Sequence, residues 1–407
     1  MRKTPATYPA LATLLVLLAL VAAGCGSDDP PERPADGALA IYTSVPRSGV
    51  LARDGAAIAA GQRLALRDAG GRAGERRVRL VELDSAGTDD DEPWDPGAIE
   101  SNAERAVDDP AAVAYLGEAG LGGSAVSVPV TNSGGLLQVS PGDTLPSLTQ
   151  PAPGGSGEGP ARYYPEGGRT FLRLVPHGGL QAAVLVDWAR SRGARKIAIV
   201  RDEGPLGQEM TTWLLEAARR ARIQAEAERV RPGEDDYADL ARDVAEERPG
   251  AVVLAMAAGE DPGRLVPALR AALPSAPILS TSGVAANPPA GVDYLDSHLP
   301  REEYPRGARR VLDGAREATG AASLYGYESM RLVLDAIARA RPRGTDGRAA
   351  VVRAALAPRR TAGVIGPYSI VRGGDVATSV FGAYRATPAA PRPLGVRSAE
   401  TATAPRP

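Results

Sequence analysis

Short apolar runs alternate with helical stretches along most of this chain, and they do so in two series. In the first, residues 39–44, 77–83, 113–116 and 136–139 read as strands, and 55–69, 96–108 and 124–132 as helices. Ile58, Leu64 and Leu66 recur at helical spacing before Gly70-Gly71, a helix stop. The helix at 124–132 is expected in spite of Pro129. Residues 151–168 then break the rhythm: they are rich in Pro and Gly and carry no periodic apolar face. The second series opens with a strand at 170–174 and a helix at 179–192. It continues with strands at 196–200, 224–230, 251–255 and 277–279 and helices at 208–221, 237–247 and 264–272. Helices at 305–319, 324–340 and 348–356 follow, and strands at 365–371 and 380–384 flank the turn signal Gly373-Gly374-Asp375. Such alternation is the signature of a parallel sheet covered by helices. Two series around one break imply two α/β lobes beside a cleft. Small-molecule sites favour such interfaces and the carboxyl ends of sheet strands.

The N-terminus reads as an export signal. Arg2 and Lys3 form a basic start, residues 10–23 carry no charge, and Ala22-Ala23-Gly24 precede Cys25, the one cysteine of the chain. The uncharged run is too short for the ~20 residues that span a bilayer as a helix. It has the layout that signal peptidases read. Small residues ahead of a cysteine match a bacterial lipobox, except that Ala22 stands where Leu is usual. Residues 1–24 are therefore expected to be a lipoprotein signal peptide, with lipidation at Cys25; an ordinary signal peptide is the plainer alternative. A diacylglycerol there would hold the mature protein on the outer face of the cell membrane, because two acyl chains anchor stably where one does not. Residues 25–38, polar and containing Pro30, Pro31 and Pro34, read as a flexible tether.

A hydrophobic fraction of 43% in 407 residues supports two real cores. A net charge of -2 argues against nucleic acid as a partner, since neutralising phosphates needs a basic face. His177 and His298 are the only histidines, which argues against the usual zinc chemistry. The run Asp89-Asp90-Asp91-Glu92 lacks the spacing of a calcium loop. No metal and no cofactor is expected.

The order of these elements resembles the type I periplasmic binding proteins, above all the branched-chain amino-acid (Leu/Ile/Val)-binding lipoproteins of ABC transporters. The landmarks are Ser48-Gly49 and Asp95-Pro96, then Tyr115-Leu116-Gly117 and Ser140-Pro141-Gly142-Asp143-Thr144. Further on come Leu206-Gly207, Ile365-Gly366-Pro367 and Gly374-Asp375. The resemblance implies two Rossmann-like lobes with parallel-type sheets joined by a three-stranded hinge. It assigns 39–162 and 295–372 to lobe 1, 163–292 and 376–386 to lobe 2, and leaves 387–407 as a disordered tail. It also implies a clamp that traps a small solute, without altering it, for an ABC permease; the same clamp could instead report to a membrane receptor.

Within that family a ligand carboxylate is gripped in lobe 1 by hydroxyls and by backbone N–H groups at helix starts, which carry a partial positive charge. The matching positions are Gly123, Ser124, Gly142 and Thr144, with helix capping as the plainer role for Ser124 and Thr144. Tyr327 matches a cleft aromatic. The chain departs from the pattern elsewhere. Ser282 stands where an ammonium-binding Glu is expected, Asp54 and Leu206 replace aromatics, and Ala257-Ala258-Gly259-Glu260 lacks tyrosines. An unpaired ammonium in a closed cleft would cost several kcal/mol. Either Asp54 or Asp143 replaces the missing acid, or the ligand has no ammonium. Glu118 and Asp202 also follow strands, as solvated loop acids or caps.

Enzyme readings fit less well. Gly120-Leu121-Gly122-Gly123-Ser124-Ala125 has the dinucleotide spacing and Asp143 follows about twenty residues on, but the motif comes after the third strand rather than the first. Around Ser124 a nucleophile elbow fails, because Val126 stands where the second Gly belongs. Neither Lys3 nor Lys196 follows the glycines of a P-loop.

Overall fold

The computed structural model describes residues 37–87, 92–155, 159–231, 237–256, 262–282, 289–314, 320–342, 347–357, 359–371 and 373–399. Cys25, the signal segment, residues 89–91 and residues 257–260 lie outside them.

Two sheets organise the chain. The first has the order β2-β3-β1-β4-β5-β6. Its strands are β1 (Leu39–Val45), β2 (Arg72–Ala73), β3 (Arg76–Asp84), β4 (Ala112–Leu116), β5 (Leu137–Ser140) and β6 (Phe171–Arg173). All pairings are parallel except β2 with β3. Strands β1 and β4 are buried along their whole length and mostly apolar, as a sheet covered on both faces requires. Helices α1 (Ala52–Asp68), α2 (Pro96–Asp108) and α3 (Ser124–Ser133) connect its strands. Asp95 caps α2 by accepting the Ala98 N–H at 2.6 Å, and Pro96 opens the helix.

The second sheet has the order β15-β14-β11-β10-β9-β7-β8. Here β7 (Lys196–Arg201), β8 (Gln224–Arg229), β9 (Ala251–Ala255), β10 (Ile278–Ser280) and β11 (Asp293–Asp296) run parallel. Strands β14 (Val380–Arg385) and β15 (Arg392–Ser398) add an antiparallel edge. Helices α4 (Gly178–Ser191) and α5 (Pro205–Ala221) pack on one face, α6 (Ala238–Glu246) and α7 (Leu265–Ala272) on the other. The chain then returns to the first lobe. Helices α8 (Ala308–Gly314), α9 (Ala322–Ala340) and α10 (Arg348–Leu356) close its core. A hairpin of β12 (Arg360–Gly363) and β13 (Gly366–Ser369) follows.

Three differences from the sequence reading have physical causes. Residues 171–173 pair with β5, so the first crossing between lobes falls at about 174–177, after β6 and not at 163. Residues 293–296 form β11 of the second sheet; charged Asp293 hid that strand, and it is buried there between Arg192 and Arg385. The segment after 386 is not wholly a tail, because β15 pairs with β14 along its length. Its pattern shows little apolar alternation because much of it is an exposed edge.

Helices α1 and α9 touch backbone to backbone. A Cβ on Gly326 would lie 2.1 Å from the Ile58 carbonyl oxygen. Gly326→Ala should therefore push the two helices apart and cost about 1–3 kcal/mol, the range for overpacking. Urea denaturation would read this as a lower midpoint at unchanged slope; an unchanged midpoint would mean the helices separate freely.

Candidate functional site

A cavity of about 100 Å³ lies between the lobes. Residues from both sheets line it, and every one follows a strand's carboxyl end. Leu51, Asp54 and Ile58 follow β1; Ala119, Gly120 and Leu121 follow β4; Gly142 and Thr144 follow β5; Val175 follows β6. From the second sheet come Ser282 after β10 and Asp296, Ser297 and His298 at the end of β11. The order of the first sheet reverses between β1 and β4, and the crevice there is the standard ligand position of an open α/β sheet. Loops after β4 and β5 approach closely: a Cβ on Gly142 would lie 2.3 Å from the Ala119 carbonyl oxygen. The lobes also meet beside the cavity, where the Glu209 carboxylate of α5 accepts the Ser147 N–H at 2.7 Å and its hydroxyl at 2.9 Å.

Asp54, Gly142, Thr144 and Ser282 thus lie on the cavity wall. The other four sequence candidates do not. Ser124 is fully buried, and its hydroxyl accepts the Glu118 N–H at 3.2 Å. Gly123 packs against the Glu118 side chain. Asp143 is fully buried and turns away to cap backbone: it accepts the N–H groups of Gly122 at 3.0 Å, Ser124 at 2.8 Å and Leu145 at 2.9 Å. Tyr327 sits on the α1–α9 interface, where its hydroxyl donates to Asp68 at 2.9 Å. Asp143 also fills the anion position of the Gly120 to Ala125 motif, so a pyrophosphate has no free N–H cradle there. Asp202 is buried too and accepts the Gly204 N–H at the start of α5.

Sequence reasoning missed the pair Asp296–His298. His298 Nδ1 lies 3.2 Å from Asp296 Oδ1, and the His298 backbone N–H donates to the same oxygen at 2.9 Å. The imidazole rests edge-on against Tyr325, centroids 5.0 Å apart. Burial alone would push His298 down. The charge and hydrogen bond of Asp296, with Asp54 adding, carry it up instead to about 9. Burial likewise works to raise Asp296, but His298 and neighbouring N–H groups hold it low. These two form an ion pair at neutral pH. Asp54 differs: burial raises it, His298 opposes and Asp296 adds to the rise, and its carboxylate has no hydrogen bond among the described residues. Behind the wall Glu118 is buried, bonded by Tyr115 at 2.7 Å and Ser44 at 2.9 Å. Burial pushes its carboxyl up, the hydrogen bonds pull part of the way back, and it stands at about 8.

Among known proteins, the periplasmic binding protein family matches residues 43–387. Curated protein sequences offer no match. Solved structures of similar fold include a leucine-binding protein from Thermotoga maritima, with 18% identity, TM-score 0.70, and 88% of this chain and 99% of that one covered. Another is an ABC transporter substrate-binding protein from Desulfitobacterium hafniense in complex with Leu, with 15% identity, TM-score 0.71 and coverage of 88% and 99%. A third is a solute-binding protein of an ABC transporter from R. palustris in complex with benzoate, with 16% identity, TM-score 0.67 and coverage of 90% and 99%. Identities this low show the fold, while the family match spans the body of the chain from β1 to just beyond β14. With its two sheets, its three crossings and its cavity at their carboxyl ends, the chain belongs to the periplasmic binding protein family.

Proposed function

We propose that this protein captures a small polar solute, an amino acid or a related compound, between its lobes and delivers it to the permease of an ABC transporter. A lipid on Cys25 would hold it outside the cell membrane while it does so. The observation that carries the reading is the cavity lined from both sheets, because a ligand touching both sides favours the closed clamp over the open one. The wall supports binding rather than chemistry: Asp54, Thr144, Ser282 and Ser297 offer polar contacts, and Leu51, Ile58, Leu121 and Val175 offer apolar ones. Relatives of this fold carry leucine or benzoate, which supports a small organic solute here.

A two-sided clamp predicts that contacts on either lobe matter alike. Thr144→Val in the first lobe and Ser282→Ala in the second should each weaken binding of the solute that co-purifies with the protein. The loss should be roughly two- to tenfold, as for a lost hydrogen bond of about 0.5–1.5 kcal/mol. Mass spectrometry of denatured native protein identifies the solute and calorimetry reads the affinity. If only one lobe's variants respond, the solute sits on a single lobe and the clamp reading fails. Permease and ATPase genes beside this one would support uptake; a histidine kinase gene there would point to sensing instead.

A further inference from the structure

The cavity wall carries an uneven set of charges. The described lining holds two carboxylates, Asp54 and Asp296, one imidazole, His298, and neither Arg nor Lys. Asp296 and His298 neutralise each other. What remains is Asp54, which lines the cavity without a hydrogen-bond partner among the described residues. The groups facing it are His298, Asp296 and Arg53, and His298 is already held by Asp296.

One place that could receive a ligand carboxylate, the start of α3, is taken. Asp143 accepts the Gly122 and Ser124 N–H groups, and the next two N–H groups, of Ala125 and Val126, donate to the carbonyls of Gly122 and Gly123. The chain thus supplies its own carboxylate where a helix N-terminus would otherwise receive one. A ligand carboxylate entering the cavity would meet Asp54 and Asp296, and the described lining holds no Arg or Lys to answer it.

Resting on the solute-capture reading above, we infer that the ligand is a small organic cation without a carboxylate, and that Asp54 is the residue that selects it. The cation carries N–H donors. Asp54, Asp296 and the hydroxyls of Thr144, Ser282 and Ser297 are acceptors that N–H groups can reach. A quaternary ammonium is disfavoured, since no Phe, Tyr or Trp lines the described wall to form a cation–π cage. Leu51, Ile58, Leu121 and Val175 hold a short aliphatic part, and the cavity volume keeps it compact. The class is a protonated aliphatic amine or amidine, not the zwitterionic or anionic ligands seen in relatives of this fold.

Matched trios on one carbon skeleton test this. Calorimetry compares valine, isobutylamine (valine without its carboxyl) and isovalerate (valine without its amine), then the corresponding alanine and leucine trios. The solute released from the native protein is identified in parallel. Expected is that an amine binds at least about tenfold tighter than its amino acid, a gap of about 1.4 kcal/mol, and that the acid gives no heat. Asp54→Asn should weaken the amine at least about a hundredfold, with circular dichroism unchanged. Tighter binding of valine or isovalerate than of isobutylamine, or a released solute that carries a carboxylate, overturns the charge inference and leaves solute capture standing. No binding by any member of any trio, with no solute released, overturns both.

Discussion

Asp375→Ala should destabilise this protein by about 3–5 kcal/mol, the cost of leaving a buried charge without its partner. Arg173 ends β6 and is fully buried, and its Nε lies 2.8 Å from Asp375 Oδ1. Its remaining donors reach the carbonyls of Asp143 at 3.1 Å and Leu145 at 2.8 Å and the Thr149 hydroxyl at 2.6 Å. Asp375 also accepts from Thr149 and Gln150. Burial works to raise the Asp375 carboxyl, and Arg173 with His177 overcomes it and holds the group low. This network joins the first crossing between lobes to the third. It also grips the loop that carries Gly142 and Thr144. Loss of the carboxylate should therefore lower both the denaturation midpoint and solute affinity. The double variant Arg173→Met with Asp375→Leu separates causes. If the uncompensated charge is what costs, the double variant should recover most of the stability. A double variant as unstable as the single one would place the cost in packing instead.

Neither partner of that network could be paired from the sequence, since 202 residues separate them. Asp375 follows two glycines and reads locally as a turn, which it also is. The contrast shows what was legible. Strands such as Lys196–Arg201 and Ala251–Ala255 announce themselves because a sheet covered on both faces needs continuous apolar runs. The alternation of strands and helices gave two α/β lobes, and the order of motifs gave the family. Strands that violate the pattern were lost: Asp293–Asp296 hides a buried acid between two arginines, and Arg392–Ser398 is an exposed edge. In the site, the family resemblance, with position after a strand for Asp54, pointed to Asp54, Gly142, Thr144 and Ser282, which line the cavity. It also suggested Asp143 and Ser124, because sequence tells which residue begins a helix but not whether a neighbour already occupies its N–H groups. His298 carried no local signal at all; it reaches the cavity only because β11 ends beside it.

Stability of the ligand-free protein should be nearly flat from about pH 4.5 to 6.5 and then fall steeply towards pH 9. Three groups dominate this shape, each with a definite sign, and Asp54, also raised by burial, adds in the Glu118 direction. Glu118 is raised from 4.5 to about 8, so the folded state holds a proton that the unfolded state has released. Its contribution is full below pH 4.5 and is lost as pH rises through 8, at up to about 1.4 kcal/mol per pH unit. His177 is the reverse: burial, with Arg173 adding and Asp375 opposing, lowers it from 6.5 to about 4. Its Nδ1 must stay unprotonated to accept the Gly179 N–H at 3.1 Å. That contribution is full above 6.5 and is lost as pH falls through 4. Between 4.5 and 6.5 the two slopes oppose each other. Above 6.5 His177 is silent, while Glu118 and the raised His298 both lose stability as pH increases, the latter through about 9. Below 4.5 the lowered acids Asp293, Asp296 and Asp375 take over and stability falls again. Glu118→Gln keeps the shape and an acceptor for Tyr115 or Ser44 but removes the titration. In that variant stability should rise from pH 4.5 to 6.5, on the His177 slope alone, and decline more gently above. Melting temperatures across pH 4 to 9 decide the matter. Parallel curves for the wild type and Glu118→Gln would show that Glu118 is ionised in the fold at neutral pH. The β4–α3 loop behind the ligand wall would then have to hold a buried negative charge against Asp143.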